Sequence, residues 1–365
     1  MVYADTSMDL RSCFKFYKTL KYSSDVQTSI DQFICSSFHN SAVTSAKNVC
    51  AFQNAQACEI FSLFEEGFFL VRHALPEDVL QRLWLTALTD WPSITSKCSN
   101  LNAAAGSLVA HDSSEFVWDQ TLMEKLRWIT FGYHYQWDDR CYRESKRGVF
   151  PALLAHVSTQ VANLLSEELT HGSLAKLDLA AEYAEACDRF VPEASIVNYY
   201  RGKTTMGFHT DEVEFDKKAP LVSISLGSAG IFLLETDQPV ISSPPFPHID
   251  HLPDMTRIVP LILRHGDVTV MLGKSRLARH AVPAVLVSET LTDTVFVSAL
   301  KRTARLACTH RTHQESVAQD LLEIDDCILC RPLIDYMRTT RINMNVRQVV
   351  PSSCQFSDFV STADT

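Results

Sequence analysis

Short runs of apolar and β-branched residues crowd the second half of the chain. Ser195 to Tyr200, Leu221 to Leu226, Ile231 to Glu235, Val259 to Leu263, Val268 to Leu272 and Ile342 to Val350 each have the length and composition of a strand. Closely spaced strands without helices between them point to an antiparallel sandwich or barrel. Helical patterning lies around this region. Residues 1–64 read as a helical N-terminal extension of mixed polarity, with Phe14, Phe16, Tyr17 and Leu20 spaced to dock one face on a core. Gly67 to Val71 reads as a strand, and Pro76 opens an amphipathic helix through Leu80, Leu83, Leu85 and Leu88. Trp128 to Tyr135 is expected to be an exposed strand or hairpin, the basic stretch after it a loop ending at Gly148, and Leu153 to Leu169 another helix.

Two segments break the β pattern. Pro239, Pro244, Pro245, Pro247 and Pro253 make Asp237 to Asp254 a loop. From about Val287 to Thr340 the chain carries charge blocks and a helical piece around Leu321 to Met337. There is no internal repeat. The expected organisation is an α+β protein, with one β-rich domain over 65–350, an inserted segment at about 287–340 and a tail over 351–365.

Composition excludes several classes. With 46% hydrophobic and 21% charged residues the 365-residue chain is globular, and a chain of this size hides roughly 75% of its unfolded surface. No apolar run reaches the ~20 residues of a membrane helix, because Ser223, Ser225, Gly227 and Ser228 interrupt the best candidate, Pro220 to Leu234. Asp5 and Asp9 argue against a secretory leader, so a nuclear or cytoplasmic protein is expected, with a mitochondrial one still open. The 11 cysteines lack the spacing of a disulfide framework, and the lone pair Cys327 and Cys330 is given no chemistry. A net charge of −10 does not recommend a general polyanion binder. Two local basic groups stand out against it, Arg140, Arg143, Lys146 and Arg147, and Lys301, Arg302, Arg305 and Arg311. Such clusters are usually solvated faces.

Candidate chemistry starts at His209-Thr210-Asp211. On a strand, residues two apart project from one face, so this imidazole and carboxylate can grip one metal ion. His280 would complete the two-histidine, one-carboxylate triad of non-haem iron(II) oxygenases. In a chain with 13 histidines, three scattered surface residues explain the same pattern. The balance shifts at Arg341 to Arg347, where alternation puts Arg341, Asn343 and Arg347 on one face. Two arginines and an amide turned toward a barrel interior want an anion, and a dicarboxylate suits a guanidinium fork. A solvent-facing charged edge strand is the other reading.

The set Asn198-x-Tyr200, His209-x-Asp211, His280 and Arg341-x-Asn343-x-Asn345-x-Arg347 resembles the AlkB family of iron(II) and 2-oxoglutarate dependent nucleic-acid demethylases. The stretches KLRWITFGYHYQW, IVNYYRGKTTMGFHTDE, PLVSISLGSAGIFLL, GDVTVMLGKSRLARHAVP and INMNVRQV are similar to its eukaryotic AlkB homologue 1 branch, and the likeness is strongest from about Lys125 to Val350. Asn345 stands where the family usually has threonine, Glu212 replaces a basic residue often seen after the metal-binding aspartate, and the Asp237 to Asp254 loop is long.

The resemblance implies a double-stranded β-helix, or jelly roll, with flanking and N-terminal helices. It implies iron(II) held by His209, Asp211 and His280, with 2-oxoglutarate as co-substrate and dioxygen as oxidant. Arg341, Asn198 and Tyr200 would take the distal carboxylate of 2-oxoglutarate, with Asn343 and Arg347 nearer the metal-bound end. The substrate implied is methylated nucleic acid, DNA first and transfer RNA second. N6-methyladenine in unpaired, bubbled or flipped DNA leads, since a stacked base cannot reach a buried metal. Tyr133 matches the position of a base-stacking aromatic, with Tyr135 and Trp137 as neighbours, although core or hairpin packing explains all three equally well. Arg140, Arg143, Lys146 and Arg147 would contact phosphates. The expected protein is a monomer with no membrane partner. Oxidation of a protein side chain, and a binding module without catalysis, are the competing classes.

Overall fold

The computed structural model describes residues 9–43, 58–94, 98–101, 120–237, 239, 253–287 and 331–360, and its strands form two antiparallel sheets. The larger sheet contains β1 (His39–Val43), β2 (Cys58–Leu63), β3 (Phe68–Arg72), β4 (Trp128–Gly132), β5 (Ala194–Arg201), β7 (Leu221–Gly227), β10 (Val268–Met271) and β12 (Thr340–Arg347), in the order β1-β2-β3-β10-β7-β12-β5-β4. The smaller contains β6 (Met206–His209), β8 (Ala229–Glu235), β9 (Ile258–Leu263) and β11 (His280–Leu286), in the order β6-β11-β8-β9. The interleaved order sends the chain repeatedly from one sheet to the other, which is the jelly roll expected from the sequence.

Side-chain alternation assigns each face of the larger sheet its partner. Ile342, Met344 and Val346 of β12 join Val222, Ile224 and Leu226 of β7 in a core covered by the helices Ala152–His171, Ala180–Asp188, Arg331–Thr339 and α3 (Glu77–Leu88). Their neighbours Arg341, Asn343 and Arg347 face the space between the sheets and are also buried. With both faces of β12 covered, the exposed-edge reading of its arginines fails. Burying one such aliphatic side chain contributes about 1.5–3 kcal/mol, so the register of β12 is fixed by its apolar face and the polar face follows.

The N-terminal segment is not wholly helical. Helices α1 (Leu10–Thr19) and α2 (Ser24–Ser37) form as expected, the first capped by the Asp9 carboxylate and the second by Ser23. Beyond them, β1 and β2 are strands, and β2 pairs with β3 from Glu59↔Arg72 to Leu63↔Phe68. A boundary at residue 64 therefore cuts a continuous sheet. Cys13, Tyr17, Ile30 and Ile34 share a core with Phe68, Leu70, Leu233 and Ile262, and Asp31 accepts two hydrogen bonds from Arg264, at 3.0 and 2.6 Å.

Three further differences concern element limits. Of the 128–135 stretch only β4 is strand, and it is largely buried rather than exposed, with Ile129 and Phe131 in the core that the Ala152–His171 helix also joins. Strand β11 and the Ala180–Asp188 helix were not anticipated. Of the helical piece expected over 321–337, the helix Arg331–Thr339 is seen, while 288–330, most of the 237–254 loop, the second basic group and the cysteine pair lie outside the described residues. No helix among the described residues is long and apolar enough to cross a membrane.

Candidate active site

A cavity of about 530 Å³ opens between the sheets, lined by β5, β7 and β12 on one side and by β6, β8 and β11 on the other. That volume lies within the ~300–1,000 Å³ typical of ligand pockets. His209, Asp211 and His280 meet in it, and one ligand atom from each lies within 4.8 Å of the others. The smaller sheet brings the imidazoles together, because β6 and β11 pair in register at His209↔His280. Asp211 does not share a strand with His209. It stands past the end of β6, so its carboxylate is placed by side-chain contacts rather than by strand alternation.

The donor set is in a ligating state. His209 Nδ1 lies 2.9 Å from the Gly207 carbonyl and His280 Nδ1 lies 3.1 Å from the Ala278 carbonyl. A carbonyl only accepts, so each Nδ1 carries a proton and Nε2 is the ring nitrogen left to face a metal. Burial holds the His280 imidazole down at about 4, hence neutral. Burial alone would raise the Asp211 carboxyl, but Arg347, His280 and His209 outweigh it and keep the group below the ordinary carboxylate range. Two imidazoles and one carboxylate, opening onto a cavity, fit a metal ion that retains exchangeable positions.

Opposite the triad lies a guanidinium that makes no ion pair with a described residue, Asp267 acting on it only at longer range. Arg341 is 2% exposed, donates to Ser225 Oγ at 3.0 Å and to the Leu263 carbonyl at 3.3 Å, and leaves Nε without a hydrogen bond. No carboxylate of the described residues comes within ion-pair distance of it, and burial pulls its acidity to about 10. Space for the side chain depends on Gly230 of β8, where a Cβ would come within 2.6 Å of Arg341 Cδ. Tyr200 faces Arg341 across the β5–β12 ladder, and Asn198 faces Asn343. An anionic group of the cavity's ligand meets the need of Arg341. Arg347 differs in facing acids: its Nη2 lies 2.7 Å from Asp211 Oδ2, and its Nε, which makes no hydrogen bond, lies 3.5 Å from Glu214. It braces the triad's carboxylate.

The residues expected at the mouth divide. Tyr135, Trp137 and Arg140 line the cavity. Trp137 is 44% exposed, stacked at 3.9 Å on Trp128 and edge-on to Tyr135 at 5.0 Å. Arg140, in the left-handed region at φ 52°, is exposed and makes no ion pair with a described residue. Tyr133 does not line the cavity. It is 3% exposed, stacks on Phe356 and gives its hydroxyl hydrogen to Glu144. Arg143 pairs with Asp139 at 2.6 Å, and Arg147 pairs with Glu144 and lies over the Tyr133 ring. Lys146 is exposed but away from the cavity.

Sequence reasoning passed over Tyr142, Glu214 and Arg276. All three are buried, and Glu214 is the hub, accepting from Tyr142 at 2.8 Å and from Arg276 at 2.9 Å. Glu214 follows Asp211 closely and Arg276 precedes His280 closely, a placement readable in the sequence. Their burial was not.

Residues 98–347 match the model of the 2OG-Fe(II) oxygenase superfamily. The human protein named nucleic acid dioxygenase ALKBH1 is 32% identical over 239 residues, 65% of this chain and 49% of the human one. Arabidopsis thaliana DNA N(6)-methyladenine demethylase ALKBH1A is 30% identical over 231 residues, 62% of this chain and 50% of that one. Schizosaccharomyces pombe tRNA demethylase abh1 is 31% identical over 173 residues, 47% and 46% of the two chains. The chain spans about half the length of these curated relatives.

Proposed function

The chain belongs to the 2OG-Fe(II) oxygenase superfamily and to the AlkB family within it, and we propose that it removes methyl groups from nucleic acid. The observation that carries this reading is the buried Arg341, without an ion pair among the described residues, in the same cavity as His209, Asp211 and His280. One wall wants a carboxylate and the other a divalent metal, which is the need of a 2-oxoglutarate oxygenase. Iron(II), 2-oxoglutarate and dioxygen together supply oxidation of a carbon–hydrogen bond of an N-methyl group, with succinate and carbon dioxide as co-products. The hydroxymethyl amine so formed releases formaldehyde and the bare amine.

The protein's own residues bind, orient and shield. His209, Asp211 and His280 hold the metal, and Arg347 keeps the Asp211 carboxylate ionised and turned inward. Arg341, with Ser225 and Tyr200 around it, takes the far carboxylate of 2-oxoglutarate, and Asn343, anchored to Ser223 at 2.7 Å, lies alongside. Asn198 sits on the same wall. Burial of this wall removes competing water and strengthens the charged contact.

Trp137, Tyr135 and Arg140 at the mouth support a nucleic-acid substrate, because an exposed indole offers a stacking face and a guanidinium without an ion pair among the described residues a phosphate contact. Our leading substrate is N6-methyladenine in unpaired or bubbled DNA, the substrate in the name of the Arabidopsis relative. A transfer RNA substrate, carrying 1-methyladenine or 5-methylcytosine, is the second reading, favoured by the name of the fission-yeast relative. Mass spectrometry of matched methylated DNA and transfer RNA panels, turned over with iron(II), 2-oxoglutarate and ascorbate, separates the two. Faster loss of methyl from single-stranded DNA than from transfer RNA is expected, and the reverse order moves the assignment to RNA. Methyl groups that persist in both panels, as they do with His209→Ala, would remove the demethylase reading altogether.

A further inference from the structure

A buried arginine outside the cavity ties together the two segments that carry the ligand atoms. Arg276, 1% exposed, sits on the short turn Ser275–Leu277 between β10 and β11, just ahead of His280. All three of its donor groups reach the segment that follows β6. Nη1 donates to the main-chain carbonyl of Asp211 at 2.6 Å, Nε to the Ala219 carbonyl at 3.1 Å, and Nη2 to Glu214 at 2.9 Å. Glu214, itself 2% exposed, stands 3.5 Å from Arg347 Nε, and Arg347 Nη2 closes on Asp211 Oδ2 at 2.7 Å. The contacts run from the main chain of Asp211 through Arg276, Glu214 and Arg347 back to its side chain.

We propose that Arg276 is a positioning residue that sets where Asp211 stands relative to His280, and through that the affinity and geometry of the bound metal. The proposal rests on reading His209, Asp211 and His280 as the metal site. His209 and His280 are fixed by the β6–β11 ladder, whereas Asp211 lies beyond the last paired residue of β6. Something other than the sheet must hold it, and a guanidinium fork spanning three acceptors is rigid where a lysine ammonium is not. Because the fork grows from the turn that leads into His280, movement of one ligand segment is transmitted to the other. Groups around a metal's direct ligands commonly change its affinity about ten- to a hundredfold when altered.

Cobalt(II) binding to the metal-free protein, followed by its visible absorption, tests this without turnover. Arg276→Lys keeps a positive charge beside Glu214 but cannot serve all three acceptors. We expect it to bind cobalt(II) about ten- to a hundredfold more weakly than wild type, with altered absorption bands. A control of matched melting loss, such as Leu165→Ala in the Ala152–His171 helix, is expected to bind as wild type does, since destabilisation alone does not change the site. Arg276→Lys with wild-type affinity and bands overturns the proposal, as does an equal loss in the Leu165→Ala control. Should Arg276→Lys not fold, Glu214→Asp replaces it, because the shorter carboxylate cannot bridge both arginines. Weakened cobalt(II) binding there supports the proposal and wild-type binding overturns it. Wild-type protein that takes up no cobalt(II) contradicts the metal-site reading itself, a result distinct from every other outcome.

Discussion

Arg341 shows most clearly what a single residue contributes. A hydrogen bond to a charged group is worth about 1.5–3 kcal/mol, so Arg341→Lys, which loses the fork, should raise the KM for 2-oxoglutarate roughly ten- to a hundredfold. Steady-state kinetics at saturating methylated oligonucleotide checks this, and an unchanged KM would place the co-substrate elsewhere. Titration also belongs at this scale. His280 is held at about 4 against an ordinary 6.5, so the unfolded chain takes up a proton first as pH falls, and stability is lost between those values. The loss amounts to about 3 kcal/mol at most. Asp211 and Glu214 are held below their ordinary 3.8 and 4.5, so their contribution is complete above those values and falls further in acid. Melting of metal-free protein from pH 8 to 5 should therefore drop more steeply for wild type than for His280→Gln. Parallel curves would contradict the burial of a neutral His280. The residue scale is also where the sequence was least specific. Arg143 and Arg147 read as phosphate contacts, yet Asp139 and Glu144 stand at the spacings that neutralise them. Tyr133 and Tyr135 are indistinguishable by type, and tertiary contacts, among them the bridge of Tyr133 to Arg147, its stacking on Phe356 and its hydrogen bond to Glu144, turn one inward.

Among the elements, β12 was the most legible, because strict alternation of Ile342, Met344 and Val346 with Arg341, Asn343 and Arg347 leaves one consistent way to bury both faces. His209 and Asp211 were legible as a pair but not as a geometry, since the pair straddles the end of β6. Strands β1 and β2 were missed because their pairing to β3 is a tertiary fact that local composition does not carry. Helices α1 and α2 show the same dependence, as their apolar stripe fits a partner built from the smaller sheet together with β2 and β3 of the larger one. Their attachment should be mainly apolar. Ile34→Ala is expected to lower stability by about 2–5 kcal/mol. Asp31→Ala, whose ion pairs with Arg264 and Arg72 are partly exposed, should lower it by no more than about 1 kcal/mol. Denaturant unfolding of the two variants checks the ranking, and a larger effect at Asp31 would reverse it.

For the whole molecule, a net charge of −10 constrains how a polyanion is held. Arg143 and Arg147 are already paired, which leaves Arg140 as the guanidinium at the mouth without an ion pair among the described residues. Under the proposed function, selectivity would then rest on the cavity and affinity on few phosphate contacts. Binding of single-stranded oligonucleotide should fall with salt along a shallow slope, roughly −1 to −2 on logarithmic axes, and Arg140→Ala should flatten it further. Fluorescence anisotropy across a salt series measures both, and a slope steeper than about −5 would reveal a broad basic surface beyond what the described residues present. The central claim is that one cavity couples 2-oxoglutarate oxidation to loss of a methyl group from a base. Simultaneous assay of succinate and formaldehyde on a single-stranded oligonucleotide carrying N6-methyladenine tests it most directly. Equal release of the two, dependent on the methyl group and abolished in Asp211→Ala, is the predicted result. Succinate without formaldehyde, with the methyladenine intact by mass spectrometry, would contradict it.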